Sequence, residues 1–192
     1  MTTLAPPKKI LTVEDNTIVS ADVRAILEGA GYDVVPEARD GVQAIEHVRT
    51  YDPDLILMDL ALPVLDGFEA ASRIRKESDA PILALTGHGD AETLSRAEAA
   101  GTSGLVLKPF SESGLLDAVR KRLAVRDADD FHLRCMVESM LNEGADEKTI
   151  VRALEQSTLR AGYAPRRPRR NRTMRDALER VLGRFSRGTT RA

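Results

Sequence analysis

Short apolar runs alternate with longer amphipathic stretches along the first 125 residues. Residues 8–13 (KKILTV) form the first run, which ends at Glu14 and Asp15. Ile18, Val19, Val23, Ile26 and Leu27 follow at spacings of three and four, the period of one helical face, until Gly29 and Gly31 stop the pattern. Residues 32–35 make a second β-rich run, and residues 41–48 read as a helix with Val42, Ile45 and Val48 on one face. Residues 55–58 (LILM) are wholly apolar, as a strand buried on both sides should be, and end at Asp59. The pattern then predicts a helix over 66–76, with Phe68, Ala71 and Ile74 inward, and a strand over 81–85 ending at Thr86. An alanine-rich helix over 91–100 closes at Gly101, and a strand over 105–107 ends at Lys108 and Pro109. A helix over 111–123 carries Leu115, Leu116, Val119 and Leu123.

Strands alternating with helices through short connections predict an α/β fold: a doubly wound five-stranded parallel sheet covered on both faces, with right-handed crossovers. Ligands of such sheets bind beyond the carboxyl ends of the strands. That rim is where the polar residues gather, because Asp15, Asp59, Thr86 and Lys108 each stand where an apolar run stops. With Glu14, three carboxylates, a hydroxyl and an ammonium converge. Crowded carboxylates repel one another unless a cation intervenes. A hard divalent ion with oxygen ligands answers that need, and Mg²⁺ fits best. Lysine adds a point charge suited to a phosphate group. One acid at one strand end is ordinarily a helix cap or a solvated loop residue. Acid, acid, hydroxyl and ammonium on four strand ends, in that order, form a specific signal.

With these residues in place, residues 8–125 resemble the receiver domain of two-component response regulators. The matching pieces are ILTVEDN (10–16), LILMDLALPVLDG (55–67), PILALTGHG (81–89) and GLVLKPF (104–110). The resemblance implies a flavodoxin-like sheet of order 2-1-3-4-5 and a role for each residue. Asp59 would be the phosphoacceptor, attacking a phosphoryl group carried by a histidine of a sensor histidine kinase or phosphotransfer protein. Asp15 would bind Mg²⁺ directly and Glu14 chiefly through water, with Asp59 and the Ala61 carbonyl completing the protein ligands. Lys108 and Thr86 would each contact a phosphoryl oxygen, and Gly87 would leave the phosphoryl group room. Pro109 would follow a cis peptide bond. Ala61 and His88 would tune the lifetime of the acyl phosphate, although His88 also reads as an ordinary loop histidine. One position departs from the family pattern: Leu105 stands where receivers commonly carry the aromatic switch residue. A switch carried by Thr86 and residues 87–104 alone is the expectation there.

Charge divides the chain further. Its net charge of −2 and 42% apolar content suit an ordinary globular protein. Residues 1–125 nevertheless hold 13 Lys+Arg against 20 Asp+Glu, whereas residues 160–192 hold 11 Arg against two acids. The expected organisation is an N-terminal tail (1–7), a receiver (8–125), a small all-α helical extension (126–160), and an arginine-rich linker with a short helix (161–192). Residues 126–130 (RDADD) read as a charged connector between helices. Residues 131–141 and 146–160 read as amphipathic helices, and residues 173–185 as a third.

Three outputs are open. The extension dimerises the protein or docks a partner; or it binds DNA, with Arg166, Arg167, Arg169, Arg170 and Arg172 at phosphates; or the last helix lies on an anionic membrane surface. A transcriptional regulator is thus the alternative to a dimerising regulator, and a receiver fold that is never phosphorylated is a third reading. No catalytic constellation appears beyond self-catalysed phosphorylation and dephosphorylation at Asp59, so an enzyme is not expected. The single cysteine, Cys135, is expected in a core. No apolar run approaches the roughly 18 residues of a membrane span. No secretory pattern opens the chain, and a cytoplasmic setting follows as an expectation.

Overall fold

The apolar runs form five parallel strands: β1 (Lys9–Val13), β2 (Asp33–Val34), β3 (Leu55–Asp59), β4 (Ile82–Thr86) and β5 (Gly104–Leu107). Their spatial order is β2-β1-β3-β4-β5, the order the resemblance implies. Between and after them run α1 (Thr17–Gly29), α2 (Gly41–Tyr51), α3 (Gly67–Arg75), α4 (Ala91–Ala99) and α5 (Glu112–Asn142). The computed structural model describes residues 6–146, 148–150 and 152–153, without the side chains of residues 129, 130, 133, 134 and 138. Two units divide the chain, Met1–Arg126 and Asp127–Ala192.

Strand periodicity sorts the core of the first unit. Leu11, Val13, Ile56, Met58 and Ile82 pack on Ala44 and Val48 of α2 and on Ala70, Ala71 and Ile74 of α3. Ile10, Leu55, Leu57, Leu83 and Leu85 point the other way, onto Val23 and Leu27 of α1 and onto Leu115, Leu116, Val119 and Leu123 of α5. Every residue of β3 and β4 is buried. Each Leu or Ile so placed contributes about 1.5–3 kcal/mol of transfer free energy. A polar residue in either strand is therefore tolerable only at its end, where Asp59 and Thr86 stand.

Helices α1 to α4 begin at side-chain caps that are not site residues. Asn16 Oδ1 accepts from the Ile18 and Val19 amides, and Asp40 Oδ1 from Val42 and Gln43. Asp66 and Asp90 likewise accept from Glu69 and Thr93. Asp15 and Asp59 cap no helix, so the commonest structural use of a strand-end acid does not account for them. Gly67, the first residue of α3, lies against the backbone of β3: a Cβ there would stand 2.2 Å from the Asp59 carbonyl oxygen.

Several local expectations need correction. Ile18 is 72% exposed and Val42 44% exposed. The inward face of α1 runs through Ser20, Val23 and Leu27, and that of α2 through Gly41, Ala44 and Val48. The RDADD connector is helical, because α5 is one helix from Glu112 to Asn142. No glycine or proline occurs from residue 115 to 143, so nothing in the charged run breaks the helix. Cys135 is exposed. Val137, about 200° further round the helix, is the buried residue instead.

In the second unit α5 ends at Asn142, and Gly144 beyond it, with a φ of +79°, donates its amide to the Leu141 carbonyl at 3.0 Å. Asp146 Oδ1 then accepts from the Thr149 amide at 2.9 Å, the capping bond expected at the next helix, and Ile150 is buried. The rest of the expected 146–160 helix, the five arginines from Arg166 to Arg172 and the expected 173–185 helix lie outside the described residues. Among the described residues no helix is long and apolar enough to cross a membrane.

Candidate functional site

Four strand exits build the site. Glu14 and Asp15 follow β1, Asp59 ends β3, Thr86 ends β4 and Lys108 follows β5. Backbone bonds fix these exits against one another. The Glu14 amide donates to the Ala38 carbonyl at 3.0 Å, the Leu60 amide to Leu85 at 3.1 Å, and the Lys108 amide to Thr86 at 2.8 Å. Residues far apart in sequence are thereby brought to one rim.

The Lys108 ammonium lies at the centre. Its Nζ donates to Glu14 Oε2 at 2.5 Å and to Asp59 Oδ2 at 2.6 Å. The other oxygen of Asp59, Oδ1, accepts from the Ala61 amide at 2.8 Å. Glu14, Asp59 and Thr86 are buried, whereas Asp15 is exposed. One carboxylate oxygen from each of Glu14, Asp15 and Asp59 lies within 4.8 Å of the other two. Thr86 Oγ1 accepts from the His88 amide at 3.1 Å. Gly87 and His88 are both exposed, and a Cβ on Gly87 would meet nothing within 4 Å, so the space beside it is open. The Lys108–Pro109 peptide is cis. Leu105 is half-buried on β5, paired in register with Ala84.

The electrostatics follow from one ammonium shared by two carboxylates. Burial pushes the Glu14 carboxyl above its ordinary range; the Lys108 hydrogen bond pulls it down, and the Asp59 charge pushes it up again. Burial alone would lower the Lys108 ammonium, but its hydrogen bonds to Asp59 and Glu14 prevail and hold it above its ordinary value. Both shifts favour bound protons, as expected of a cluster with excess negative charge. Three carboxylates against one lysine fall two charges short of neutrality, which is the charge of one divalent cation. An all-oxygen donor set of this kind suits a hard ion such as Mg²⁺. The residues present therefore fit a Mg²⁺ site.

Residues 10–120 match the response regulator receiver domain as a sequence family. The chain belongs to that family. Among its relatives is the transcriptional regulatory protein PdtaR of Mycobacterium tuberculosis, 38% identical over 115 residues. That match covers 60% of this chain and 56% of PdtaR. The chemotaxis protein CheY of Halobacterium salinarum is 37% identical over 113 residues, covering 58% of this chain and 93% of CheY. Among solved structures, the receiver of sensor histidine kinase PA1611 from Pseudomonas aeruginosa has a TM-score of 0.57 at 33% identity, over 62% of this chain and 98% of that one. It was solved with a magnesium ion coordinated in the active site cleft.

Two features of this receiver escape a reading of strand ends. The Glu14–Lys108 pair joins residues 94 apart, and no local pattern encodes it. Val64, in the loop between β3 and α3, has a φ of +65°, and the Leu65 amide donates back to the Pro63 carbonyl at 2.7 Å. Together these describe a positive-φ γ-turn, a rare and strained conformation. The Pro63 that opens it was the available signal.

Proposed function

We propose that this receiver accepts a phosphoryl group on Asp59 in a Mg²⁺-dependent step and signals through the segment that follows it. The observation that carries the reading is the buried Asp59 carboxylate held 2.6 Å from Lys108, with two further carboxylates in reach. A carboxylate oxygen of Asp59 would attack the phosphorus of a phosphohistidine. The new O–P bond forms as the P–N bond breaks, and the departing imidazole nitrogen takes the electron pair. Glu14, Asp15, Asp59 and the Ala61 carbonyl are the groups that would hold Mg²⁺, which when bound supplies charge neutralisation to the phosphoryl oxygens. Lys108 would pair with one of those oxygens, and the Thr86 hydroxyl would donate to another beside the open space at Gly87. Ala61 and His88 flank the site and would set how long the acyl phosphate lasts.

Leu105 leaves the threonine without an aromatic partner. The switch would then consist of Thr86 and residues 87–104, acting as a population shift biased by the phosphoryl group. The partner implied is a sensor histidine kinase or phosphotransfer protein.

Incubation with acetyl phosphate and Mg²⁺ tests the chemistry. The full chain should gain the mass of one phosphoryl group, and Asp59→Asn should not. No Asp59-dependent gain would leave a binding module that keeps the receiver fold without its chemistry.

For the output, dimerisation or partner docking through the helical extension is the first reading. Phe131 is 67% exposed and Leu141 42% exposed, and such apolar surface on a helix calls for a cover. Regulation of transcription is the second reading, favoured by the arginine excess at residues 160–192 and by the name of PdtaR. Solution mass and DNA retention at two salt concentrations, for the full chain and for one ending at Val125, separate them. Loss of dimer mass on truncation supports the first, and salt-dependent retention confined to the full chain supports the second.

A further inference from the structure

Val42 lies on a face of α2 that the sheet leaves uncovered. Its side chain is 44% exposed, and with the half-buried Ile45 one turn on it floors an open groove of about 310 Å³ between α2 and α3. Glu46 and Arg49 continue the same stripe of α2. At the head of α2 the two helices touch: a Cβ on Gly41 would stand 2.8 Å from that of Ala70. At its last turn they are clasped by Arg49, whose Nε donates to Glu77 Oε2 at 2.6 Å and whose Nη2 donates to Oε1 at 2.5 Å. The groove is thus formed in advance of any occupant. Its α3 wall is cationic. Arg73 pairs through Nε with the exposed Glu69, one turn back, at 2.7 Å, and Lys76 has no ion-pair partner among the described residues.

We propose that this groove docks an acidic amphipathic helix of a partner protein. A helix binds in such a groove by laying an apolar stripe along its floor. Two apolar side chains one turn apart would seat on Val42 and Ile45, and carboxylates beside them would reach Lys76 and Arg73. Charge selects this occupant over others. Residues 1–125 hold 13 Lys+Arg against 20 Asp+Glu, yet Arg49, Arg73 and Lys76 all line this one groove. Of its two acids, Glu77 is already held by Arg49, which leaves Glu46 against Arg73 and Lys76. The chain's own residues 160–192 carry eleven arginines and would be repelled by that wall. A nucleic acid would gain phosphate contacts there, but it would meet Glu46 and leave Val42 and Ile45 wet. None of the residues around Asp59 lines the groove, so the inference stands or falls separately from phosphoryl transfer.

Fluorescence anisotropy of a labelled synthetic peptide, titrated with the full chain, tests this. The peptide is helical, with leucines one turn apart flanked by glutamates, and a twin carries lysines in place of the glutamates. The acidic peptide should bind, its twin should bind roughly tenfold more weakly or worse, and added salt should weaken only the acidic one. Lys76→Glu should lower the affinity roughly tenfold, because one pair is lost and one repulsion gained. Val42→Ser should lower it several-fold, whereas Leu94→Ser, on α4 and of matching 42% exposure, should leave it unchanged. All three positions are exposed, so each variant should keep the parent's far-UV spectrum and thermal midpoint. No binding of the acidic peptide at about 1 mM overturns the proposal. Equal binding of the two peptides overturns it as well, as does parent-like affinity in Lys76→Glu and Val42→Ser. Retention of duplex DNA that Lys76→Glu abolishes, with the peptide left unbound, would assign the groove to nucleic acid instead.

Discussion

Val64 offers a direct test of how the loop beside Asp59 is held. The residue is 87% exposed, so its side chain buries almost nothing that a substitution could forfeit. Its φ of +65° lies where an L-residue pays about 1–2 kcal/mol of steric cost, and β-branching stiffens it further. The conformation persists because the loop is pinned at both ends. The Gly67 amide donates to the Leu60 carbonyl at 3.1 Å, and the Gly41 amide to the Leu65 carbonyl at 3.1 Å. Asparagine tolerates positive φ without the backbone freedom that glycine adds to the unfolded chain. Val64→Asn should therefore stabilise by about 1 kcal/mol. Val64→Gly should gain less, because about 0.5–1 kcal/mol is lost to unfolded-state entropy. For a chain of this size, 1 kcal/mol raises the thermal midpoint by about 2–4 °C. Urea unfolding followed by far-UV circular dichroism measures the change, with Val64→Thr as the control that keeps the branched Cβ. If Val64→Asn is no more stable than the parent, or Val64→Thr gains as much, the strain assigned to this turn does not exist.

Other consequences follow from single contacts. Thr12 is fully buried and its Oγ1 has no hydrogen-bond partner, so the isosteric Thr12→Val should raise stability by about 1–3 kcal/mol in the same unfolding assay. Gly67→Ala should cost at or above the upper end of the roughly 1–3 kcal/mol of overpacking, because its Cβ would meet backbone atoms, and its soluble yield and midpoint should both fall. The raised Lys108 gives stability that is complete below the ordinary lysine value of 10.5 and lost as pH climbs through the higher folded value. Between pH 9 and 12 the parent should therefore lose stability more steeply than Lys108→Met, and parallel curves would contradict the pairing.

The sheet was legible because its signal is local. Two central strands buried on both faces need uninterrupted apolar runs, and LILM and ILAL are such runs. Their termination by Asp59 and Thr86 was readable for the same reason. Face assignments on the helices were less so: Ile18 and Val42 obey the helical period yet point outward, because only the sheet decides which stripe of a helix it covers. The RDADD stretch read as a connector between helices because charge runs often are, and the two units do divide there, between Arg126 and Asp127. Charge alone does not end a helix, however, and without glycine or proline α5 continues through it.

The pairing inside the site was invisible for a deeper reason. Sequence order shows that an acid and a lysine will share a rim, but not which oxygen the ammonium selects. That choice depends on tenths of an ångström set by register. Lys108 follows a strand paired to β4, β4 pairs to β3, and β3 to β1, so the ammonium reaches Glu14 across three strand-to-strand steps. A slip at any step would turn alternate side chains to the opposite face. The core residues of β3 and β4 that fix this register, Ile56 with Ile82 and Leu57 with Leu83, therefore also decide the electrostatics of the rim. Packing well away from the carboxylates sets the distance on which their shared charge depends.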